Sequence, residues 1–427
     1  MTEQRNWAGN YTYHAANWHC PRGVEEVQEQ VRRAERVKVL GSRHSFNGIA
    51  DTGATMLSLE HLNRVVSLDR EQGTVTVEGG IRYGELSRFL HGQGYALPNL
   101  ASLPHISVAG ACATATHGSG DRVGNLATAV SSLELVTADG EIVTVSRDGD
   151  PETFPGMVVG LGGLGVVTRL TLDVIPTFEM RQDVYENLAL EALEDHFDAV
   201  MSSADSVSLF TDWRHPRFYQ VWLKRRVTGR APLEPPREWF GAVPAPQDRH
   251  PIPGISPVNC TPQMGVPGPW HERLPHFRLE YTPSSGEELQ SEYLVPRQHA
   301  LAAFRAIHAL SEQMAPLLQV SEVRSVAADD LWMSPFYRQP CVGIHFTWYR
   351  DEAAVRAFLP RLEAALAPFG ARPHWGKVFT VAPEVLPGLF GKLPDFRRLL
   401  ERSDPRGKFR NAFLDRYIFG EMEPGTT

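Results

Sequence analysis

A loop of small polar residues, Gly41-Ser42-Arg43-His44-Ser45-Phe46-Asn47, follows a short apolar run from Val37 to Leu40. Backbone that wraps a pyrophosphate needs little side-chain bulk, because its own N–H groups approach the phosphate oxygens. A histidine in the middle of such a loop is odd for phosphate binding alone. Its imidazole is also a candidate nucleophile for joining a flavin covalently. A second run, Ala101-Ser102-Leu103-Pro104-His105-Ile106-Ser107-Val108-Ala109-Gly110, continues through Thr114-Ala115-Thr116-His117-Gly118-Ser119-Gly120. Alone it reads equally as a close-packed helix or turn. Paired with the first loop it supplies the other wall of a dinucleotide cleft.

Glu322 and Arg324 are two apart in Val320-Ser321-Glu322-Val323-Arg324-Ser325-Val326, so on a strand they share a face. A surface ion pair is the common reading and contributes little. The neighbours, however, are apolar or small, and a buried pair beneath a polyol would offer carboxylate acceptors and guanidinium donors. His345 and Thr347 repeat the spacing, with Ile344, Phe346 and Trp348 on the opposite face. Taken singly, His345 reads as a satisfied core histidine. In Arg372-Pro373-His374-Trp375-Gly376-Lys377, the lysine is informative only in a closed site, since burial requires a partner or deprotonation. In an open loop it is an ordinary basic residue.

The elements that must hold these groups follow from periodicity. Val24, Val27, Val31 and Ala34 recur at helical spacing before the 37–40 strand. Strands are predicted at Val65–Leu68, Thr74–Val77, Ser132–Thr137, Ile142–Val145 and Val166–Val174, with a helix at Gly84–His91 whose Leu86, Phe89 and Leu90 share a face. Composition changes after Pro176. Residues 230–270 hold eleven prolines and read as a long irregular excursion laid on the surface by Trp239, Phe240 and Trp270. Beyond it the pattern predicts a helix near Gln298–Met314, strands near Gln319–Val326 and Val342–Tyr349, and a helix near Ala353–Ala367. The segment Asp404–Asn411 reads as a loop returning to the first unit. Gly160-Leu161-Gly162-Gly163-Leu164-Gly165 has the spacing of a Rossmann fingerprint but precedes an alternating strand instead of a helix, so it reads as a tight turn.

At 427 residues the chain has room for two or three structural units, and its composition is that of an ordinary globular protein. A net charge of -8 argues against nucleic acid and against an anionic membrane surface. No apolar run is long enough to span a bilayer, and the N-terminal residues show no secretory pattern. Cys20, Cys112, Cys260 and Cys341 are widely spaced, which suits reduced thiols in a cytoplasmic protein. His44, His105 and His117 lack metal-ligand spacing, so no metal is expected.

With these motifs in view, the chain resembles the alditol oxidase branch of the vanillyl-alcohol-oxidase-type flavoproteins, over nearly its whole length. The resemblance implies an α+β, two-lobed fold: an FAD-binding lobe of PCMH type over residues 1–176, a cap lobe with an antiparallel sheet over 177–400, and a C-terminal return over 401–427. It implies FAD bound covalently through His44 and contacted by Gly41, Ser42, Arg43, Ser45, Phe46, Asn47, Ser102, Ser107, Gly110, Thr114, Ala115, Thr116, His117, Val166 and His374. Substrate groups map onto Ser102, Glu322, Arg324, Thr347 and Lys377, with His345 close by and counted with Lys377, Arg324 and Glu322 as catalytic. Position 43 departs from the family, where glycine is frequent; an arginine there places a cation near the pyrophosphate or points outward.

The reaction this implies is oxidation of the terminal alcohol of a linear polyol to the aldehyde, with oxygen reduced to hydrogen peroxide. Lys377 would activate the hydroxyl, Arg324 would favour developing negative charge, and Glu322, Ser102 and Thr347 would bind successive hydroxyls. The partners expected are a polyol and oxygen, with no nucleic acid or membrane, and a monomeric state. The nearest rival is a sugar-lactone oxidase or dehydrogenase of the same superfamily. A non-catalytic carbohydrate-binding protein would be colourless.

Overall fold

The computed structural model describes residues 4–227, 238–281 and 288–421. Near the N-terminus, the helix Val24–Arg33 buries Val24, Val27 and Val31 on one stripe, with Glu25 and Glu26 in its first turn and Arg32 and Arg33 in its last. That charge order complements the helix dipole. The stripe joins a small core with Val37, Leu57, Val136, Val166 and Phe409. Strands Asn17–His19, Thr55–Ser58 and Val37–Leu40 form a parallel sheet in that order. Beside it lies an antiparallel sheet of five strands, ordered Val65–Asp69, Thr74–Glu78, Val166–Asp173, Val130–Val136 and Ile142–Ser146.

The glycine run at 160–165 is a turn and not a dinucleotide fingerprint: the strand Val166–Asp173 follows it directly. Leu161 and Gly162 have left-handed backbone, at φ of 50° and 67°. At Gly165 (φ 146°) a Cβ would stand 2.7 Å from the Val136 carbonyl oxygen. The bare backbone is what lets the turn feed the sheet.

The second lobe is built on a nine-stranded sheet. Its central order is Glu179–Ala189, Arg217–Arg226, Ser206–Thr211, Leu318–Val326, Cys341–Tyr349, Glu288–Pro296, with antiparallel neighbours throughout. Ile344, Phe346 and Trp348 are fully buried in the main core with Phe304, Val355 and Leu359 of the helices Ala300–His308 and Glu352–Leu366. The opposite face of the same strands is left to polar residues.

Several expectations need correction. The helix near 298–314 is broken into a 3-10 turn Arg297–His299 and helices Ala300–His308 and Ser311–Met314. Leu310 N–H donates to Ile307 O and Gln313 N–H to Leu310 O, the three-residue spacing that tightens a helix end. Phe89 is on the exposed side of its helix, 36% accessible, while Leu86 and Leu90 are buried. The excursion is more than a surface layer. Residues 230–237 lie outside those described, but Trp270 is fully buried, and His250, Pro251 and Ile252 line an internal cavity.

The C-terminal segment is stitched to the first lobe. Asn411 Nδ2 donates to the carbonyls of Gly48, Ile49 and Asp51 at 3.1, 3.1 and 2.8 Å. Val37 N–H donates to Lys408 O, and buried Lys38 donates to Gly162 O and Phe409 O.

Candidate active site

The cleft that receives these groups has two chambers, of about 1590 and 1580 Å³ counted out to their open mouths. Gly41, Ser42, Arg43, Ser107, Gly110 and Gly162 line both, so the chambers meet at the small-residue loops. The waist is narrow because it has no side chains to spare. A Cβ at Gly41 would stand 2.6 Å from Ser107 Oγ, and one at Gly110 2.8 Å from the same atom. Ser107 Oγ is itself buried without a partner among the described residues. A long ligand with an anionic centre and a flat group at each end fits such a shape, which is the outline of FAD.

One chamber runs between Gly79, Gly80 and the 133–135 and 160–167 segments. The other holds His44 and the polar face of the second sheet. His44 Nδ1 lies 3.0 Å from Ser42 O, an acceptor only, so Nδ1 carries the proton. Its Nε2 is buried and unpartnered among the described residues. Burial first, and Lys377 in addition, lower the imidazole pKa to about 4, which keeps that lone pair free near neutrality. Trp7 stacks on the ring at 5.3 Å. Arg43 takes the left-handed backbone a glycine would, φ 62°, and its guanidinium turns outward to Gln4 Oε1 (2.7 Å) and the face of Trp18.

The remaining loop residues are fixed by the segment 374–377. Phe46 N–H donates to Gly376 O, and Asn47 Nδ2 to Trp375 O and Lys377 O. Asn47 thus holds Lys377 in place without lining the cleft. Ala115 (φ 54°) sits in the hydrophobic core, and the Val166 side chain faces the small cluster around Val37. Neither side chain lines a chamber; Val167, one residue on, does. The strict alternation along Val166–Asp173 accounts for this.

The floor of the chamber that holds His44 is written in strand register. Phe210, Glu322, His345 and Glu292 lie opposite one another across four adjacent strands. Val320, Thr347 and Gln290 form the next row, and Arg324 and Gly343 the one on the other side. Gly343 leaves room there: a Cβ would crowd both Glu292 Oε1 and His117 Cε1 at 3.2 Å. Arg324 donates to Ser102 Oγ (3.2 Å) and Glu292 Oε1 (3.1 Å), and its Nε lies 3.5 Å from Glu322 Oε1. Burial raises the Glu322 and Glu292 carboxyls, but Arg324 with His276 in the first case, and His117 with Arg324 in the second, outweigh it and hold both below the usual range. Both are anions.

Lys377 Nζ donates to Gln290 Oε1 and lies 5.0 Å from the Phe46 ring centroid. Burial, opposed by Glu292 and reinforced by Arg324, lowers its pKa to about 8. His345 and His374 are pushed down to about 3 by burial first, so both are neutral. Ser102, Ser107, Gly110, Thr114, Thr116, His117, Glu322, Arg324, His345, Thr347, His374 and Lys377 all line this chamber. Glu292, Gln290, Phe210, His250 and His276 also line it, and sequence reasoning passed over them. For Glu288, Gln290 and Glu292 the signal was available, the same two-residue polar alternation read at 322–324.

This arrangement, a two-chambered cleft with a dinucleotide's outline that opens on buried carboxylates and guanidinium beside the Lys377 amine, fits an FAD-dependent oxidoreductase. The FAD binding domain family matches residues 17–146, and the D-arabinono-1,4-lactone oxidase family matches residues 286–417. Alditol oxidase of Streptomyces sp. is 51% identical over 97% of this chain and 98% of its own. L-Gulono-1,4-lactone dehydrogenase of Mycobacterium tuberculosis is 30% identical over 92% and 93%, and L-gulonolactone oxidase of Scyliorhinus torazame 27% over 97% and 98%. Cholesterol oxidase from B. sterolicum superposes with a TM-score of 0.75 at 14% identity, covering 97% of this chain and 96% of that one, and so shares the two-lobed fold. The chain belongs to the vanillyl-alcohol-oxidase-type family of FAD-linked oxidoreductases, in the branch that contains alditol oxidase.

Proposed function

We propose that the protein oxidises the terminal primary alcohol of a linear polyol such as xylitol or sorbitol to the aldose, with oxygen reduced to hydrogen peroxide. The observation that carries this reading is the floor formed by buried Glu322, Arg324 and Thr347 with half-buried Lys377. An open-chain sugar alcohol offers a hydroxyl on every carbon, and a floor alternating acceptor and donor along neighbouring strands satisfies such a chain. A site built from buried hydrogen-bonding groups rejects analogues that lack the hydroxyls. The 51% identity to alditol oxidase supports the same substrate class.

Bound FAD would supply the redox chemistry, accepting hydride from the alcohol carbon and passing electrons on to oxygen. Lys377 would take the hydroxyl proton, its lowered pKa leaving a useful fraction of free amine near neutrality. Arg324 would steady the negative charge growing on that oxygen. Glu322, through the oxygen not engaged by protein, would accept a hydrogen bond from a substrate hydroxyl, and Ser102 and Thr347 would bind others. His44, neutral and with an unpartnered Nε2, fits the proposed covalent attachment of the flavin.

A sugar-lactone oxidase or dehydrogenase is the second reading, favoured by the lactone-oxidase match over residues 286–417. Oxygen-uptake assays with xylitol, sorbitol, gulonolactone and arabinonolactone separate the two. Peroxide formation with the polyols is expected; turnover of the lactones alone would replace the first reading with the second.

A further inference from the structure

Behind Glu322 lies a fully buried lysine that the reaction as described does not use. Lys224, on the strand Arg217–Arg226, donates to Leu274 O (2.6 Å), Pro275 O (3.0 Å) and His276 Nδ1 (3.1 Å). Burial lowers the Lys224 amine to about 7, with Glu322 opposing, but the ionised Glu322 can only accept from the other ring nitrogen, so His276 Nδ1 is bare and accepts from Lys224. The proton of His276 is therefore on Nε2, which donates to Glu322 Oε1 at 2.8 Å. The His276 backbone N–H donates to Ser102 O (3.0 Å), and Ser102 Oγ receives Arg324. Ser102, Arg324, Glu322 and His276 thus close a ring of contacts around the proposed hydroxyl-binding corner. Trp222 and Phe210 hold the imidazole edge to face, with centroids at 5.0 and 5.7 Å.

We propose that His276, with its tautomer fixed by Lys224, is a positioning residue that occupies Glu322 Oε1 and presents the carboxylate's other oxygen to the substrate. It makes the proline-rich excursion, which looks in sequence like an ornament on the cap, a determinant of substrate affinity. The proposal rests on the reading of Glu322 as an acceptor of substrate hydroxyls.

The test uses FAD-loaded enzyme and compares His276→Phe, which keeps a ring between Trp222 and Phe210, with His276→Gln, whose amide can still donate to Glu322. Replacing the donor is expected to raise the KM for xylitol about ten- to hundredfold, the range for a hydrogen bond to a charged group, with the limiting rate of anaerobic flavin reduction within about threefold of wild type. His276→Gln should recover most of the affinity. In a Glu322→Gln background, His276→Phe should add little, because the two residues act as one unit. An unchanged KM in His276→Phe, equal losses in Phe and Gln, or full additivity with Glu322→Gln would each overturn the proposal. Should His276→Phe fail to accumulate, His276→Leu, which also removes the donor to Glu322, is expected to raise KM in the same way; a wild-type KM there overturns it equally. If wild-type enzyme is reduced by gulonolactone and not by xylitol, the polyol reading fails separately, and the same variants read with gulonolactone still decide the role of His276.

Discussion

At the scale of single residues, Lys377 is the group on which the proposed proton transfer turns. Its amine is lowered to about 8, so the free-base fraction grows as pH rises through that value. The limiting rate of anaerobic flavin reduction should therefore climb from pH 7, pass half its maximum near 8 and level off above about 9. Lys377→Met should lower that rate by about a hundredfold or more and abolish the climb, with a much smaller change in substrate binding. Stopped-flow traces across pH check both points; an unchanged profile in the variant removes Lys377 from the reaction. His44→Ala should still accept FAD but release it on acid precipitation, where wild type keeps a yellow pellet. A yellow pellet from the variant contradicts attachment at His44. Much of this scale was readable from residue types alone: a histidine inside a glycine-serine loop, and polar pairs two apart on apolar strands. His276 was not, because it sits in irregular chain where no period announces which way a side chain points.

At the scale of elements, polar alternation on three adjacent strands makes the site. Glu288, Gln290 and Glu292 obey the same rule as Glu322 and Arg324, yet their partners are set by cross-strand register, which sequence spacing does not contain. The strands at 65–69, 74–78, 166–173, 318–326 and 341–349 were legible to within a residue or so, as strongly alternating segments should be. The break at Leu310 was not, since apolar spacing continues to buried Met314 across it. The waist of the cleft is also an element-scale feature. Gly41→Val places a branched side chain where even a Cβ would stand 2.6 Å from Ser107 Oγ. Purified Gly41→Val should carry much less FAD per chain than wild type, read from flavin and protein absorbance. Wild-type occupancy would show that the waist is not where the cofactor passes.

Across the whole molecule, the two lobes and the C-terminal return share one hydrophobic core and specific polar ties. The Asn411 side-chain amide donates to three carbonyls of the 48–51 turn. Asn411→Ala is expected to lower stability by about 2–4 kcal/mol, because buried acceptors lose their donor, and urea unfolding checks it. The site also gives the molecule a pH signature. His44 and His276 are held at about 4, and His345 and His374 at about 3, by burial first. Unfolding returns each toward 6.5, so between about 6.5 and 4 the unfolded chain binds more protons than the folded one. The histidines' contribution is full above that window and should be lost steadily as pH drops through it; a flat urea midpoint from about pH 7 to 4 contradicts the neutral histidines. The N-terminal lobe was foreshadowed by its glycine loops, whereas the excursion's inward turn toward the substrate chamber depends on long-range contacts that composition hides.

The most direct test of the polyol reading is the visible spectrum of the purified protein before and after xylitol is added without oxygen. The flavin's blue-light band should bleach within the time of mixing and return when air is admitted, with peroxide appearing. A band that xylitol and sorbitol leave intact, while a sugar lactone bleaches it, would contradict the polyol assignment.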